Sequence, residues 1–231
     1  LLGEVVMEPA KVAPYFGTPE KPECHMLYNV TTMATTWHTL ATGDASLLKR
    51  QMEAVCALPK DFLFLNYLRC HDDIGWGLDY PWLQERFHIF EVAHKKYLND
   101  WFTSRWPGSP ARGELYNDDP RLGDARLCGT TASLCGVEAA DFEGDPFKLE
   151  RAVSCDVTLH AWMLSQSGIP VIYSGDEVGR FNDYTYHGDP DRREDSRYLH
   201  RGAFQWGLAE LRREPGTYQE KLFQGLRRLE T

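Results

Sequence analysis

The stretch that decides the fold is an apolar run that ends in a group of ionisable side chains. It reads Asn66-Tyr67-Leu68-Arg69-Cys70-His71-Asp72-Asp73-Ile74-Gly75-Trp76. Its apolar part belongs to a short run over 62–68, and such runs are typical of buried strands. Two adjacent carboxylates beside a histidine are costly at the end of a buried strand unless they are paired or bind a ligand. From the pattern alone, a sugar-binding loop and a salt-bridged cap on the sheet stand as equal interpretations.

Further apolar runs extend this pattern along the chain. Strands are predicted at 26–28 and 170–173, with a short one within 1–7. Helical patterns lie between them, of which two are clearly bounded, at 147–165 and 218–229. A helical stretch that starts near Thr31 is predicted to break at Gly43, with Asp44 capping its second part. Alternating strands and helices predict a parallel α/β sheet.

Two long connections interrupt this alternation. Residues 106–129 are rich in Pro, Gly and Asp and are too long for an ordinary strand-to-helix loop. Together with a helical stripe over 83–101, they predict a subdomain inserted after the second clear strand. Residues 182–197 form a second irregular stretch, which is dense in Asp, Arg and Tyr. Barrel enzymes carry their active sites on long loops of this kind, after the carboxyl ends of strands.

Composition excludes several classes of function. The chain has 231 residues and 42% hydrophobic content, enough for a sizeable core in one large or two small domains. Its formal net charge of −9 argues against nucleic acid or an anionic membrane as a partner. No apolar run approaches the roughly 20 residues of a membrane span. The aromatic content of 13% suits stacking on sugar rings, although core packing accounts for most such rings.

The six cysteines are scattered along the chain and form no CxxC pair, so a zinc site is not expected. Scattered thiols in a chain of this length indicate a reducing compartment, and we predict a cytoplasmic location. The first residues carry no signal-peptide pattern. The chain is therefore expected to begin inside a folded unit.

Outside the central stretch, the candidate residues carry weaker signals. Glu4 stands between apolar residues at a predicted strand end, where burial would raise its pKa toward that of a general acid. A surface position is the simpler interpretation of this residue. Asp176 and Glu177 follow the strand at 170–173 and could equally belong to a connecting loop. Arg126 and Arg197 lie in long loops, where an arginine can pair with a buried carboxylate or bind sugar hydroxyls.

Taken in order, these segments resemble the second half of a family 13 glycoside hydrolase, in particular the amylosucrases and sucrose hydrolases. The resemblance spans nearly the whole chain. The most specific parts are the run from His71 to Trp76 and the run Gly175-Asp176-Glu177-Val178-Gly179. The family fold implies a partial (β/α)8 TIM barrel, about strands 5 to 8 with their helices, with 77–129 as a subdomain inserted after strand 7.

The resemblance also implies a retaining mechanism, which uses an aspartate nucleophile, a glutamate acid/base and a second aspartate. Glu4 resembles the acid/base at the end of the fifth strand. Asp72 resembles the second aspartate, which stabilises the transition state. The nucleophile lies on a strand that precedes Glu4 in the family, and the 231 residues do not include that strand. The isolated chain is therefore not expected to turn over sucrose or glucan, and no cofactor or metal ion is implied.

Four further side chains resemble the residues that bind the glucosyl ring. His71 precedes the stabilising aspartate, and Asp73 follows it. In the amylosucrase branch Asp73 works with an arginine of the inserted segment, which Arg126 resembles. Arg197 resembles the arginine that lines the glucose pocket after the eighth strand. The expected partners are sucrose or an α-glucan, and either the N-terminal half of the barrel or a second copy of the chain, because a half-barrel leaves sheet edges open.

Three alternatives stay open. Another family 13 enzyme, such as an α-glucosidase, trehalose synthase or sucrose phosphorylase, would share His71 and Asp72, whereas the extension from Asp73 to Trp76 favours the sucrose-acting branch. The same pair occurs in HD-type metal phosphohydrolases, but that chemistry requires it on a helix. A non-catalytic carbohydrate-binding half-barrel would bind saccharides without turnover.

Overall fold

The computed structural model describes residues 1–7, 9–119, 121–122 and 124–229 of the chain. The strands of these residues are β1 (Leu2–Gly3), β2 (Met26–Tyr28), β3 (Leu63–Tyr67), β4 (Glu114–Asp119), β5 (Asp124–Cys128) and β6 (Ile169–Val171). The strands predicted at 26–28 and 62–68 are confirmed as β2 and β3. The strand predicted at 170–173 begins and ends earlier, as β6, and the one within 1–7 is reduced to β1.

Four strands form one parallel sheet in the order β1-β2-β3-β6. Leu27 lies opposite Phe64, and Tyr67 lies opposite Val171. The carboxyl ends of parallel strands lie on the same side of a sheet, so the loops that follow them can converge there. The predicted α/β fold with a parallel sheet is confirmed. Closure into a barrel is not shown, because β1 pairs only with β2 and β6 only with β3 among the described residues.

Both edges of this sheet leave apolar side chains in solvent. Leu2 on β1 is 46% exposed, and Ile169 on β6 is 41% exposed. Strand edges with exposed backbone and apolar side chains invite pairing with further strands. The sheet therefore has two edges at which additional strands can be accommodated.

The helices of the described residues lie between and around the strands: α1 (Pro9–Val12), α2 (Val30–Thr42), α3 (Ser46–Cys56), α4 (Tyr80–Phe87), α5 (Glu91–Phe102), α6 (Thr131–Leu134), α7 (Val137–Glu143), α8 (Pro146–Leu164), α9 (Tyr198–Arg201), α10 (Trp206–Glu210) and α11 (Tyr218–Leu229). The helices predicted at 147–165 and 218–229 are confirmed as α8 and α11. At the start of α8, Asp145 Oδ1 accepts hydrogen bonds of 3.0 Å from the Phe147 and Lys148 amides. None of these helices is long and apolar enough to span a bilayer.

The helical stripe predicted over 83–101 is two helices rather than one. His88 ends α4 with a left-handed φ of 56°, and the extended residue Phe90 precedes α5. The sequence does not reveal this break because neither Gly nor Pro marks it. The break predicted at Gly43 is confirmed, with a φ of 68° there and with Asp44 Oδ1 accepting from the Ser46 amide at 2.8 Å.

Residues 106–129, predicted to be irregular, contain a β-hairpin. β4 and β5 pair antiparallel, with Leu115 opposite Leu127. Ile74, in the loop after β3, exchanges backbone hydrogen bonds of 2.8 and 2.9 Å with Leu127, which attaches the hairpin to that loop. Four of the six residues of β4 are polar or charged, which obscures the alternation that would have predicted the strand. Pro120 and Gly123 of this region lie outside the described residues, and the assignment of 77–129 as an inserted subdomain stays a prediction.

Two tryptophans of the largest hydrophobic core anchor the two ends of the loop after β3. Trp37 on α2 is fully buried, and its Nε1 donates to the Leu68 carbonyl at 2.7 Å. Trp76 stacks on Phe102 of α5, and its Nε1 donates to Asn99 Oδ1 at 2.7 Å. The segment between these two tryptophan anchors is the one that carries the ionisable group of the sequence.

Candidate active site

A small cavity lies where the ends of β1 and β3 meet the hairpin and the loop after β6. Its volume is about 220 Å³. Five of the six side chains predicted from the sequence line it: Glu4, Asp72, Asp73, Arg126 and Arg197. The sixth, His71, lies beside it. A larger cavity of about 490 Å³ between α5, α7 and α8 has a mostly apolar lining and holds none of the predicted residues, so we place the candidate site at the smaller one.

Glu4 enters the site directly after β1. Glycine at position 3 lets β1 approach its neighbours closely, since a Cβ there would stand 2.6 Å from Leu27 Cδ2 and would force that side chain to shift. Glu4 is exposed in this chain, yet partial burial of its carboxylate raises its pKa above the ordinary value of 4.5, with Asp72 adding to the rise. His71 opposes this rise. A raised pKa holds the proton to higher pH, which suits a general acid.

Asp72 lies among three basic side chains. Its Oδ1 is 2.8 Å from Arg201 Nη2 and 3.4 Å from Arg197 Nη1. Its Oδ2 is 3.2 Å from His71 Nε2. The Asp72 amide also donates to Cys70 Sγ at 3.4 Å, which fixes the turn of the backbone. The carboxylate is therefore held in one orientation while it still lines the cavity.

Asp73 forms the second carboxylate of the cavity and pairs with the hairpin. Arg126 Nη1 lies 3.3 Å from Asp73 Oδ2. Gly75 leaves room for this contact, because a Cβ there would come within 3.2 Å of the Arg126 Nη1. Gly75 does not take a positive φ, so the close approach of Arg126, rather than a left-handed backbone, favours glycine at this position. The bridge between Ile74 and Leu127 sets this geometry.

Arg197 reaches the cavity from the residue before α9. Its guanidinium makes two hydrogen bonds of 2.8 Å with Asp195, and it lies over the Tyr116 ring, 4.6 Å from the centroid. The Asp195 hydrogen bond is the main reason that the pKa of Arg197 is raised further. Arg197 is therefore a fixed positive charge at the cavity wall, braced by the hairpin that carries Tyr116.

Sequence reasoning missed three residues at this site. Arg201 pairs with Asp72, and His200 contacts the His71 carbonyl with Nε2 at 3.3 Å. Tyr67, at the end of β3, lines the cavity floor. A single arginine or histidine on a short helix carries no signal in one sequence. The sequence could have indicated Tyr67, because this aromatic residue ends the strand that leads into the site.

Two predicted features lie away from the cavity. Trp76, the last residue of the motif that carries Asp72 and Asp73, is buried in the core. Asp176, after β6, is buried against Arg69, with Nε–Oδ1 and Nη2–Oδ1 distances of 2.9 and 2.8 Å. Thr131 Oγ1 donates to its other oxygen at 2.9 Å. Asp176 therefore joins the ends of β3 and β6 to α6. This contact favours the interpretation of Asp176 as part of a connecting loop.

In the described part of the chain, no group of three or more His, Cys, Asp or Glu side chains is arranged to hold a metal ion. His71 and Asp72 lie in a loop after a strand. HD-type metal chemistry requires this pair on a helix with further ligands, so the loop position argues against that alternative.

Comparison with known proteins finds solved structures that have a similar fold. No protein-family model matches the chain. The sucrose 6F-phosphate phosphorylase of Thermoanaerobacter thermosaccharolyticum matches with a TM-score of 0.64 and 18% identity, over 100% of this chain and 39% of that enzyme. The cyclic α-maltosyl-(1→6)-maltose hydrolase of Arthrobacter globiformis, in complex with maltose, matches with a TM-score of 0.50 and 17% identity, over 99% and 32%. The chain thus has a fold similar to a part of each of these two enzymes and spans about a third to two fifths of their length.

Proposed function

We propose that this chain supplies the acid/base side of a retaining α-glucosyl site that acts on sucrose or an α-glucan. The observation that carries the proposal is the cavity at which Glu4, with its raised pKa, meets Asp72 and Asp73. A carboxyl with a raised pKa suits the role of general acid at such a site. The resemblance of the sequence and the likeness of the fold both support the same class of enzyme.

In this mechanism Glu4 protonates the leaving oxygen and then activates the incoming water or sugar hydroxyl. Asp72 and His71 bind ring hydroxyls, and their hold strengthens as the oxocarbenium ion develops. Asp73 and Arg126 close one end of the cavity, and Arg197 supplies a fixed charge at its wall. A retaining enzyme also needs a nucleophilic carboxylate about 5–5.5 Å from the acid/base. In the resemblance that group lies on the strand before Glu4.

The proposed partner is therefore a further set of strands, either the other half of a barrel or a second copy of the chain. The exposed apolar residues Leu2 and Ile169 at the two sheet edges support this, as does the share of the matched enzymes that the chain spans. Additional strands at these edges would bury the exposed side chains and bring a carboxylate toward Glu4.

The experiment has a binding arm and a turnover arm. Calorimetric titration of the purified chain with sucrose, maltose and glucose is expected to give dissociation constants of roughly 1 mM, which corresponds to about −4.1 kcal/mol. Glucose release from sucrose is expected to be absent for the chain alone. Binding of none of these sugars would contradict the proposed site, and turnover by the chain alone would contradict the external nucleophile.

The complete gene product provides the second test. If the other half of the barrel is encoded upstream of Leu1, that sequence is expected to contain a strand that ends in Arg-x-Asp. Assays with and without inorganic phosphate would then separate hydrolysis or transglucosylation from phosphorolysis. Sugar binding without turnover by the complete product would instead favour the non-catalytic half-barrel, whereas turnover of maltose or trehalose but not sucrose would favour another family 13 enzyme.

A further inference from the structure

We infer that Arg201 is the residue that positions Asp72 for saccharide binding, acting from behind the cavity. Its Nη2 lies 2.8 Å from Asp72 Oδ1, and its Nε donates to the His71 carbonyl. Arg201 itself does not line the cavity, whereas Asp72 does. One rigid guanidinium thus holds both a carboxylate of the site and the backbone just before it. The inference rests on the proposed function and adds a residue to it.

The distances separate Arg201 from the other arginine at this carboxylate. Arg197 Nη1 is 3.4 Å from Asp72 Oδ1, and its guanidinium is already committed to Asp195 through two bonds of 2.8 Å. Arg201 makes the shorter contact with Asp72, while its own nearest approach to Asp195 is 4.0 Å. Because Arg201 occupies Oδ1 from outside, Oδ2 is left for His71 and for a hydroxyl in the cavity.

The neighbouring residue His200 keeps this arrangement rigid. Its side chain is 2% exposed, its Nδ1 accepts a hydrogen bond of 3.1 Å from the Gly129 amide, and its Nε2 donates to the His71 carbonyl at 3.3 Å. Burial lowers the pKa of His200 to about 3, so the ring stays neutral and its proton stays on Nε2. Through His200 and Arg201, α9 joins the end of the hairpin to the loop that carries Asp72.

The charge of Arg201 has a consequence for Glu4. The groups that face Glu4 and move its pKa are Asp72, Asp73 and His71. Tyr28, Tyr67 and Cys70 also lie within its electrostatic reach. Arg201 offsets the negative charge of Asp72, and removal of that offset should raise the pKa of Glu4 further. The carboxyl of Glu4 is therefore a reporter of Arg201 that does not depend on turnover.

The experiment compares three variants of the chain. Arg201→Gln removes both the charge and the planar guanidinium, Arg201→Lys keeps the charge, and Arg193→Gln is the control from the loop before α9. Arg193 is exposed, and its side chain forms an ion pair with its neighbour Glu194. The readouts are the pKa of Glu4 by 13C NMR titration of its carboxyl and the sucrose affinity by calorimetry. Thermal unfolding checks that each variant is folded.

Arg201→Gln is expected to raise the pKa of Glu4 by roughly 0.5 unit and to weaken sucrose binding by about tenfold. Arg201→Lys should leave the pKa near that of wild type but weaken binding, since an ammonium group cannot hold both the carbonyl and the carboxylate. Arg193→Gln should change neither. If Arg201→Gln matches Arg193→Gln in both readouts while wild type binds sucrose, the inference is overturned and the proposed function stands. If wild type binds no sugar, both are overturned. Should Arg201→Gln fail to fold, Arg201→Lys decides through affinity alone.

Discussion

Two arginine–aspartate groups follow β3, only a few residues apart, and they differ in burial. In the first, the side chains of Arg69 and Asp176 are 1% and 2% exposed, and Thr131 completes the carboxylate shell. In the second, Asp72 and Arg201 are 29% and 23% exposed, and Asp72 borders an open cavity. The residue types are the same, but only the second group can be reached by a ligand.

This contrast distinguishes a buried ion pair, which stabilises the fold, from a partly exposed ion pair that a ligand can reach. A buried pair is costly to break, because the remaining charge has neither water nor partner. A pair at a cavity rim exchanges its contacts with water at little cost, so a sugar hydroxyl can replace that water. The sequence left an even choice between a salt-bridged cap and a binding loop. Arg69 and Asp176 form a buried salt-bridged cap, whereas Asp72 lines the cavity that we propose as the binding site.

The largest expected effect is on stability at the buried group. Arg69→Met should lower the free energy of unfolding by about 3–5 kcal/mol, since it leaves Asp176 buried with Thr131 as its remaining partner. The matched variant in the Asp72 group, Arg201→Met, should lower the free energy of unfolding by less than about 1 kcal/mol. Urea denaturation followed by circular dichroism measures both. Equal losses of unfolding free energy in the two variants would contradict the distinction between the buried and the exposed group.

The second expected effect is on binding at the rim. Asp72→Asn should weaken sucrose or glucose binding by about 10- to 100-fold, because a charge-assisted hydrogen bond becomes a neutral one. The free energy of unfolding should change by less than about 1 kcal/mol. Asp191→Asn, with the same charge change on the exposed loop after β6, is the control and should bind as wild type does. Unchanged affinity in Asp72→Asn would remove Asp72 from the site.

A smaller effect tests how the hairpin contributes to the rim. Gly75→Ala places a Cβ about 3.2 Å from Arg126 Nη1 and should displace that flexible guanidinium from Asp73. We expect a loss of sugar affinity of about threefold and little change in stability, since the side chain can move toward solvent. Gly188→Ala is the matched control, because nothing lies within 4 Å of its added Cβ. Calorimetry compares the two variants, and equal affinities would mean that the Asp73–Arg126 pair does not contribute to binding.

The smallest effect is a pH dependence at Glu4. Its pKa is raised in the folded state, so between the ordinary carboxyl pKa of 4.5 and the raised value the folded chain holds more protons than the unfolded chain. The free energy of unfolding therefore falls as pH rises through that window and is unaffected below it. Glu4→Gln should remove this part of the slope, which urea denaturation between about pH 4 and pH 8 can measure. Identical slopes in wild type and variant would show that Glu4 is an ordinary surface carboxyl.

The sequence predicted the sheet well, because β2 and β3 are short apolar runs and their helices carry recognisable ends. The resemblance placed Glu4 and Asp72 at one site, and the structure gives the physical reason that they meet, since both follow strands whose carboxyl ends share one side of a parallel sheet. The resemblance, not the spacing, suggested that Arg126 and Arg197 would join them. Their roles in catalysis stay predictions.

What the sequence could not predict depends on tertiary contacts. The hairpin of β4 and β5 is held by the bridge between Ile74 and Leu127, which no local pattern announces. The break at His88 lacks the glycine that usually marks a left-handed residue. Arg201 and His200 act through a carbonyl and a carboxylate from a distant part of the chain, so their identities alone carry no signal.

The most direct test of the central claim is a sugar titration of the labelled chain followed by NMR. With sucrose or maltose added to roughly ten times a millimolar dissociation constant, amide shifts should be confined to the cavity, at residues such as Asp73, Gly75 and Arg126. The residues around the larger cavity beside Cys135 and the buried Asp176 should not shift. Shifts centred on that larger cavity, or none at all, would contradict the assignment of the rim carboxylates to a saccharide site.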